Sequence, residues 1–150
     1  MSDGDLTELY QAIILDHNRH PRHYGRLEAP THSAEGYNPL CGDKVTVDLR
    51  IEDDEVRQIG FEAACCAICK ASASLMAVDL LGRSLSEAED VSRSIHAMLA
   101  PGAPDPDLGE AGDRAALAGV RRFPARIKCA TLPWRTFEAA RGGEAKTVIE

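Results

Sequence analysis

Apolar and polar positions along this chain follow two periods, and the switches between them mark the elements. Leu6, Leu9, Tyr10, Ile13, Ile14 and His17 recur at i, i+3, i+4 and i+7, which predicts an amphipathic helix over 6–17. Acidic residues at its start suit the helix dipole, and it ends near Asp16-His17-Asn18, before Pro21. Residues 30–37 carry a weak signal for a short edge strand. Val45, Val47, Leu49 and Ile51 alternate strictly with polar residues, and Ile59, Phe61 and Ala63 do so again. With the polar turn Glu52-Asp53-Asp54-Glu55 between them, 44–51 and 56–63 read as an antiparallel hairpin.

The period then changes to helix. Ala67, Ile68, Ala71, Leu75, Val78 and Leu81 form a stripe stopped by Gly82. Ser84-x-x-Glu87 is a capping box opening a helix with Val91, Ile95, Met98 and Leu99 on one face. The segment from Pro101 to Asp107 is a loop without core-forming content, and 115–120 predicts a short helix. A last helix is expected over 131–141, stopped by Gly142-Gly143, with Pro133 in its first turn and Trp134 and Phe137 on the core.

Length and composition add bounds. The chain has 150 residues, enough for a single domain over 1–150 with its own core, and its 44% hydrophobic and 27% charged residues are ordinary for a globular protein. A formal net charge of -7 argues against nucleic acid as the main partner. Arg121, Arg122, Arg126 and Lys128 form a local exception, read as a solvated face, a docking edge, or positive charges beside thiolates. No stretch approaches the about 18 apolar residues of a membrane span, so no membrane association is expected. The acidic start Met1-Ser2-Asp3-Gly4-Asp5 is unlike a signal peptide, and the expected location is cytoplasmic. In a reducing compartment the five cysteines are better read as metal ligands or reactive thiols than as disulfides.

Three of those thiols can share one site. In Asn38-Pro39-Leu40-Cys41-Gly42-Asp43 a thiol and a carboxylate flank a glycine that lets the backbone turn tightly. Cys41 and Asp43 lie at one end of the first hairpin strand, and Cys66 lies just past the same end of the second. Cys66 also falls at a predicted helix N-terminus, whose free N–H groups favour a thiolate. Cys129 is expected just before a helix start, in the same kind of position. Three thiolates and one carboxylate suit zinc, whereas iron–sulfur clusters demand mostly thiolates. The alternative reading treats Cys65, Cys66 and Cys69 as small buried hydrophobes on a helix start. His17, His20 and His23 recur at three-residue spacing, but Pro21 interrupts any helix that would align them, so a turn is the better reading there than a metal site.

Three motifs, in order, carry a resemblance: Asn38 to Asp43, Cys66-Ala67-Ile68-Cys69-Lys70-Ala71-Ser72-Ala73-Ser74, and Phe123-Pro124-Ala125-Arg126-Ile127-Lys128-Cys129-Ala130-Thr131-Leu132. Together with Leu9-Tyr10, Ile14-Leu15-Asp16-His17 and Pro21-Arg22-His23, they resemble the iron–sulfur cluster assembly family of NifU/IscU type, in its SufU branch, over about residues 6–141. The resemblance implies an α+β fold, a three-stranded antiparallel sheet with helices packed on one face. It implies that Cys41, Asp43, Cys66 and Cys129 are metal ligands. It also implies a pyridoxal-phosphate (PLP)-dependent cysteine desulfurase as sulfur donor, a downstream scaffold or other sulfur acceptor, and bound zinc, with iron or a [2Fe–2S] cluster as the alternative. Lys128, where the scaffold branch has histidine, and the proline-rich 100–112 segment favour SufU. Cys65, Cys69 and Pro133 depart from the family, which usually has glycine, serine and a small residue there.

These readings make Cys41 the expected sulfur acceptor, on the most mobile ligand-bearing loop, with Arg126 in support beside Cys129. The rivals are a [2Fe–2S] scaffold and a purely structural zinc module. A hydrolytic zinc enzyme is disfavoured because four protein ligands leave no open position.

Overall fold

In the computed structural model, residues 3–149 are described; the side chains of residues 3–6 and of Leu108, and the whole of Met1, Ser2 and Glu150, lie outside the described set. The N-terminal acidic residues and Leu6 of the predicted stripe therefore cannot be placed by their side chains. The chain runs α1 (Asp3–Arg19), β1 (His32–Asn38), β2 (Asp43–Glu52), β3 (Glu55–Ala64), α2 (Ala67–Leu80), α3 (Leu85–Leu99), α4 (Leu108–Ala111), a 3₁₀ run Gly112–Arg122, α5 (Pro124–Arg141) and β4 (Lys146–Val148). The fold is α+β.

The sheet has four strands in the order β3-β2-β1-β4, one more than expected. β1, β2 and β3 are antiparallel, as predicted, and β4 adds in parallel to β1 through Glu35↔Lys146 and Tyr37↔Val148. β1 is thus interior, not an edge. Three residues of β4 are too few to show a period-2 signal, which is why the sequence pattern missed the strand.

The hairpin lies where the alternation put it. Val45, Val47 and Leu49 pair with Ala63, Phe61 and Ile59, and all except Ala63 are buried. Its turn places Asp53 at φ 52° and Asp54 at φ 57°, the left-handed pair that a two-residue hairpin turn requires and that aspartate tolerates. The opposite face of the sheet is crossed by the chain after α1. Gly25 N donates to Phe61 O at 2.7 Å, and a Cβ on Gly60 would stand 2.4 Å from Gly25 O, so only glycine fits at that crossing. Asp48, buried on this face, accepts from Arg26 Nε at 2.7 Å, Ser33 Oγ at 2.6 Å and Leu27 N at 3.0 Å. Burial pushes the Asp48 carboxyl up, but these donors more than offset it and hold the group below the usual carboxylate range.

Helices cover the other face. Trp134 and Phe137 of α5 are fully buried, as the pattern predicted, and the capping box forms with Glu87 N donating to Ser84 Oγ at 3.1 Å. α2 is buried around most of its circumference because α1, α5 and the sheet all pack on it. Val78 and Leu81, expected on its inner stripe, are instead exposed, and the helix ends one residue earlier at Leu80.

α5 differs most from expectation. It begins at Pro124, seven residues before the predicted start, so Pro133 is interior and Cys129 is a helical residue rather than one preceding a helix. Pro133 has no N–H, which removes the bond that the Cys129 carbonyl would accept. Neighbouring side chains brace the interrupted turn: Ser72 Oγ donates to Ala130 O at 2.6 Å and Thr136 Oγ1 to Leu132 O at 2.7 Å. Trp134 Nε1 in turn donates to Ser72 Oγ at 3.0 Å. Pro124 at the first helical position was the signal available for the true start.

Candidate metal centre

Four chain segments converge at the end of the sheet nearest the β1–β2 loop. The loop Pro39–Gly42 closes between the last strand pair, Asn38↔Asp43. Asn38, buried, shapes it: its carbonyl accepts Gly42 N at 2.8 Å and its Oδ1 accepts Leu40 N at 3.1 Å. Gly42 takes φ +79°, the conformation that glycine allows at low cost. Cys41 is thereby carried on an exposed turn, while Asp43 enters the sheet buried. Sequence reasoning quoted Asn38 but assigned it no role; its polar side chain beside a proline and a glycine was the signal for an Asx-type turn.

Cys66 caps α2 with extended backbone at φ -69° and ψ 168°, as the placement at a helix start predicted. Its amide donates to Asp43 Oδ1 at 3.1 Å, so the helix start fixes the carboxylate. Cys129 comes from the second turn of α5, on the same stripe as Leu132 and Thr136. That stripe approaches β1 at Gly36, where an added Cβ would meet Thr136 Oγ1 at 1.9 Å and Leu132 Cδ1 at 3.1 Å. The missing side chain at Gly36 lets α5 lie close enough for Cys129 to reach the loop.

The result is a cluster. Sγ of Cys41, a carboxylate oxygen of Asp43 and Sγ of Cys129 all lie within 4.8 Å of one another, and among the described residues no other group of three such side chains does so. The Cys66 thiol is not part of this group of three; Cys66 meets the site through its amide, which holds Asp43. Burial raises the Cys129 thiol well above its ordinary value, and its contacts with Cys66 and Asp43 add to the shift. Asp43 Oδ2 is buried and has no hydrogen-bond partner among the described residues. An unpartnered buried acceptor costs about 1–3 kcal/mol. A cation held between Asp43 and the thiols would relieve both effects, and thiolate sulfurs with a carboxylate oxygen form a donor set that suits zinc. The residues therefore fit a metal ion.

The surroundings divide the basic run. The Cys129 and Cys66 thiols raise the pKa of the Arg126 guanidinium. Arg121 instead pairs with Asp105 Oδ1 at 2.8 Å and the Ala103 carbonyl, holding the 101–107 loop. The three histidines do not gather. His17 is buried with Nδ1 2.7 Å from Ser74 Oγ, and burial lowers its pKa. Cys69 is fully buried and Cys65 half-buried; the neighbouring Cys65 thiol, followed by burial, drives the Cys69 thiol far up.

The fold and this site define a class, an α+β protein with a candidate metal centre of cysteine thiols and a carboxylate at one end of its sheet. Residues 9–130 match the NifU-like N-terminal domain, and the chain belongs to that family. It is 37% identical over 136 residues to the zinc-dependent sulfurtransferase SufU of Bacillus subtilis, covering 91% of each chain. It is 34% identical over 140 residues to the iron–sulfur cluster assembly scaffold protein IscU of Streptococcus pyogenes serotype M1, covering 93% of this chain and 87% of the relative. A solved structure from Fervidobacterium islandicum AW-1, described as a candidate iron–sulfur cluster assembly scaffold for the SUF system, superposes with a TM-score of 0.78 at 30% identity, covering 85% of this chain and 93% of that one. Among the described residues no helix is long and apolar enough to cross a membrane.

Proposed function

We propose that this protein is a single-domain sulfur carrier of iron–sulfur cluster assembly: it accepts persulfide sulfur on Cys41 from a PLP-dependent cysteine desulfurase and passes it to a downstream scaffold or acceptor. The observation that carries this reading is the asymmetry of the cluster. Asp43, Cys66 and Cys129 are fixed by a strand, a helix start and a helix interior, whereas Cys41 rides on an exposed turn shaped by Asn38 and Gly42. The 37% identity to the zinc-dependent sulfurtransferase SufU supports the carrier role.

Cys41, Asp43, Cys66 and Cys129 would hold the metal, with zinc the best match to their donor set. Zinc bound there would keep the thiol of Cys41 ionised at neutral pH and shield it from oxidation. The protein's own contribution is positional. The turn lets Cys41 swing outward to a docked desulfurase while the other three residues stay. Its thiolate attacks the terminal sulfur of the enzyme persulfide; the S–S bond of that persulfide breaks, and the desulfurase cysteine leaves as thiolate. Arg126, whose pKa the Cys129 and Cys66 thiols raise, balances their negative charge while Cys41 is away.

The test is intact-mass analysis after incubation with a cysteine desulfurase and cysteine. One sulfur atom mapped to Cys41, and none taken up by Cys41→Ser protein that still binds zinc, is the expected result. Normal uptake by Cys41→Ser would refute the assignment. The 34% identity to an IscU scaffold supports a second reading, assembly of a [2Fe–2S] cluster on the same residues. Iron and sulfide in protein isolated anaerobically would favour it.

A further inference from the structure

A cavity of about 360 Å³ opens between the C-terminal halves of α1 and α2 and the segment that joins α4 to the 3₁₀ run. That volume is at the low end of the about 300–1,000 Å³ of small-molecule sites. The cavity rests on the last two turns of α2, at the end away from Cys66, so it is separate from the metal centre.

Its base is polar and nearly closed to water. His17 lines it and is only 5% exposed. His17 Nδ1 is 2.7 Å from Ser74 Oγ, which also accepts Arg22 N at 2.8 Å. The Ser74 hydroxyl has one proton to give, and Nδ1 is the acceptor beside it. Burial lowers the His17 pKa and keeps the ring neutral at neutral pH, so its own proton sits on Nε2. Among the described residues Nε2 has no partner, which leaves one buried donor for an occupant of the cavity. Beside it, Arg114 Nη1 donates to Asp79 Oδ2 at 2.6 Å, and Arg83 Nη2 donates to Asp79 Oδ1 at 2.7 Å. One carboxylate thus answers two guanidiniums, and a positive charge remains over. The Arg114 side chain is 12% exposed, and its Nε and Nη2 donors have no partner among the described residues. The walls are of two kinds. Leu75 and Val78 are apolar, and Val78 is exposed on this side of α2. Glu110 and Asp113, both exposed, bring negative charge to the mouth.

We propose that this cavity binds a small apolar α-amino acid, with its carboxylate on Arg114 and His17 Nε2, its ammonium group toward Glu110 and Asp113, and its side chain on Leu75 and Val78. Neither half of such a ligand suits the cavity alone. A plain carboxylate would meet the two acidic groups at the mouth, and a plain amine would meet the guanidinium that Asp79 leaves uncompensated. A zwitterion sets each charge against its opposite, and a carboxylate is the group that the open donors of an arginine fork take up. The proposal does not depend on sulfur transfer at Cys41, so either reading can fail without the other.

The experiment is an amide NMR titration of the full-length zinc-loaded protein with L-leucine. Saturable shifts are expected at residues 75–79 and 109–114, with the amides of 41–43 unmoved. Isocaproate, which lacks the ammonium group, and isoamylamine, which lacks the carboxylate, should each bind at least about tenfold more weakly. Arg114→Gln should lower the leucine affinity by a similar factor. Because that change also strips a partner from Asp79, Val78→Glu supplies an independent check. It leaves the Arg114–Asp79 pair in place, sets a carboxylate on the cavity wall, and should abolish leucine binding with the unfolding midpoint and zinc content of the parent retained. Any one of four results overturns the proposal: no saturable shift at millimolar leucine, shifts confined to the metal centre, isocaproate or isoamylamine binding as tightly as leucine, or full affinity in Val78→Glu.

Discussion

The two sides of the thiol cluster are built differently. On one side, Asp43, Cys66 and Cys129 are locked into a strand, a helix cap and a helix interior, and Asp43 is oriented by the Cys66 amide. On the other, Cys41 sits on a four-residue turn whose hydrogen bonds return to Asn38, with Leu40 beside it 76% exposed. A structural metal module needs all its ligands rigid. A carrier needs one sulfur that can leave and a wall that keeps its shape meanwhile. The contrast between wall and turn fits the second requirement.

The largest effect is expected from breaking the wall at its closest packing. Gly36→Val would drive a side chain into Thr136 and Leu132, pushing α5 from β1. Overpacking of this kind costs on the order of 3 kcal/mol, visible as a lower denaturation midpoint, and it should also weaken zinc binding because Cys129 moves with α5. Next, Cys129→Ser removes a wall ligand while leaving the turn alone. Zinc affinity should fall by more than the roughly 100-fold upper range seen for second-shell changes, measured by chelator competition, whereas Cys41→Ser should retain most of it. Equal losses in the two variants would erase the proposed asymmetry.

Ser72→Ala probes what braces the wall. It removes the donor to Ala130 O and leaves Trp134 Nε1 without its acceptor. A loss of about 1–3 kcal/mol in chemical denaturation is expected, with a smaller weakening of zinc binding. The smallest effect on the site should come from acid titration of Asp48, on the face away from the helices. Its folded pKa is depressed, so its stabilisation is fully present above the unfolded value of about 3.9 and is lost as pH falls through the lower folded value. Thermal melts of Asp48→Asn and the parent should therefore differ at neutral pH and begin to converge only below about pH 4, with zinc binding at neutral pH nearly the same in both.

Much of this architecture was legible in the chain, and the gaps have physical causes. Strict alternation at Val45–Ile51 and Ile59–Ala63 specified the hairpin, and the hairpin alone put Cys41, Asp43 and Cys66 at one end. Those positions are set by short-range geometry, which periodicity reports well. Cys129 was expected in the site on resemblance, but its local setting was misread. Pro133 looks like a helix start, and only the tertiary contacts of Ser72 explain how a helix continues through it. β4 is too short to announce itself, and its pairing with β1 depends on where α5 ends. The roles of Asn38 and Gly36 arise from contacts rather than patterns, so they became visible only in three dimensions.

The most direct measurement of the proposed centre is zinc X-ray absorption on the metal-loaded protein. A first shell of three sulfurs and one oxygen is predicted, from Cys41, Cys66, Cys129 and Asp43. A shell of four sulfurs would mean that Cys65 or Cys69 displaces Asp43, and a shell dominated by oxygen or nitrogen would mean that the thiol cluster is not the metal centre.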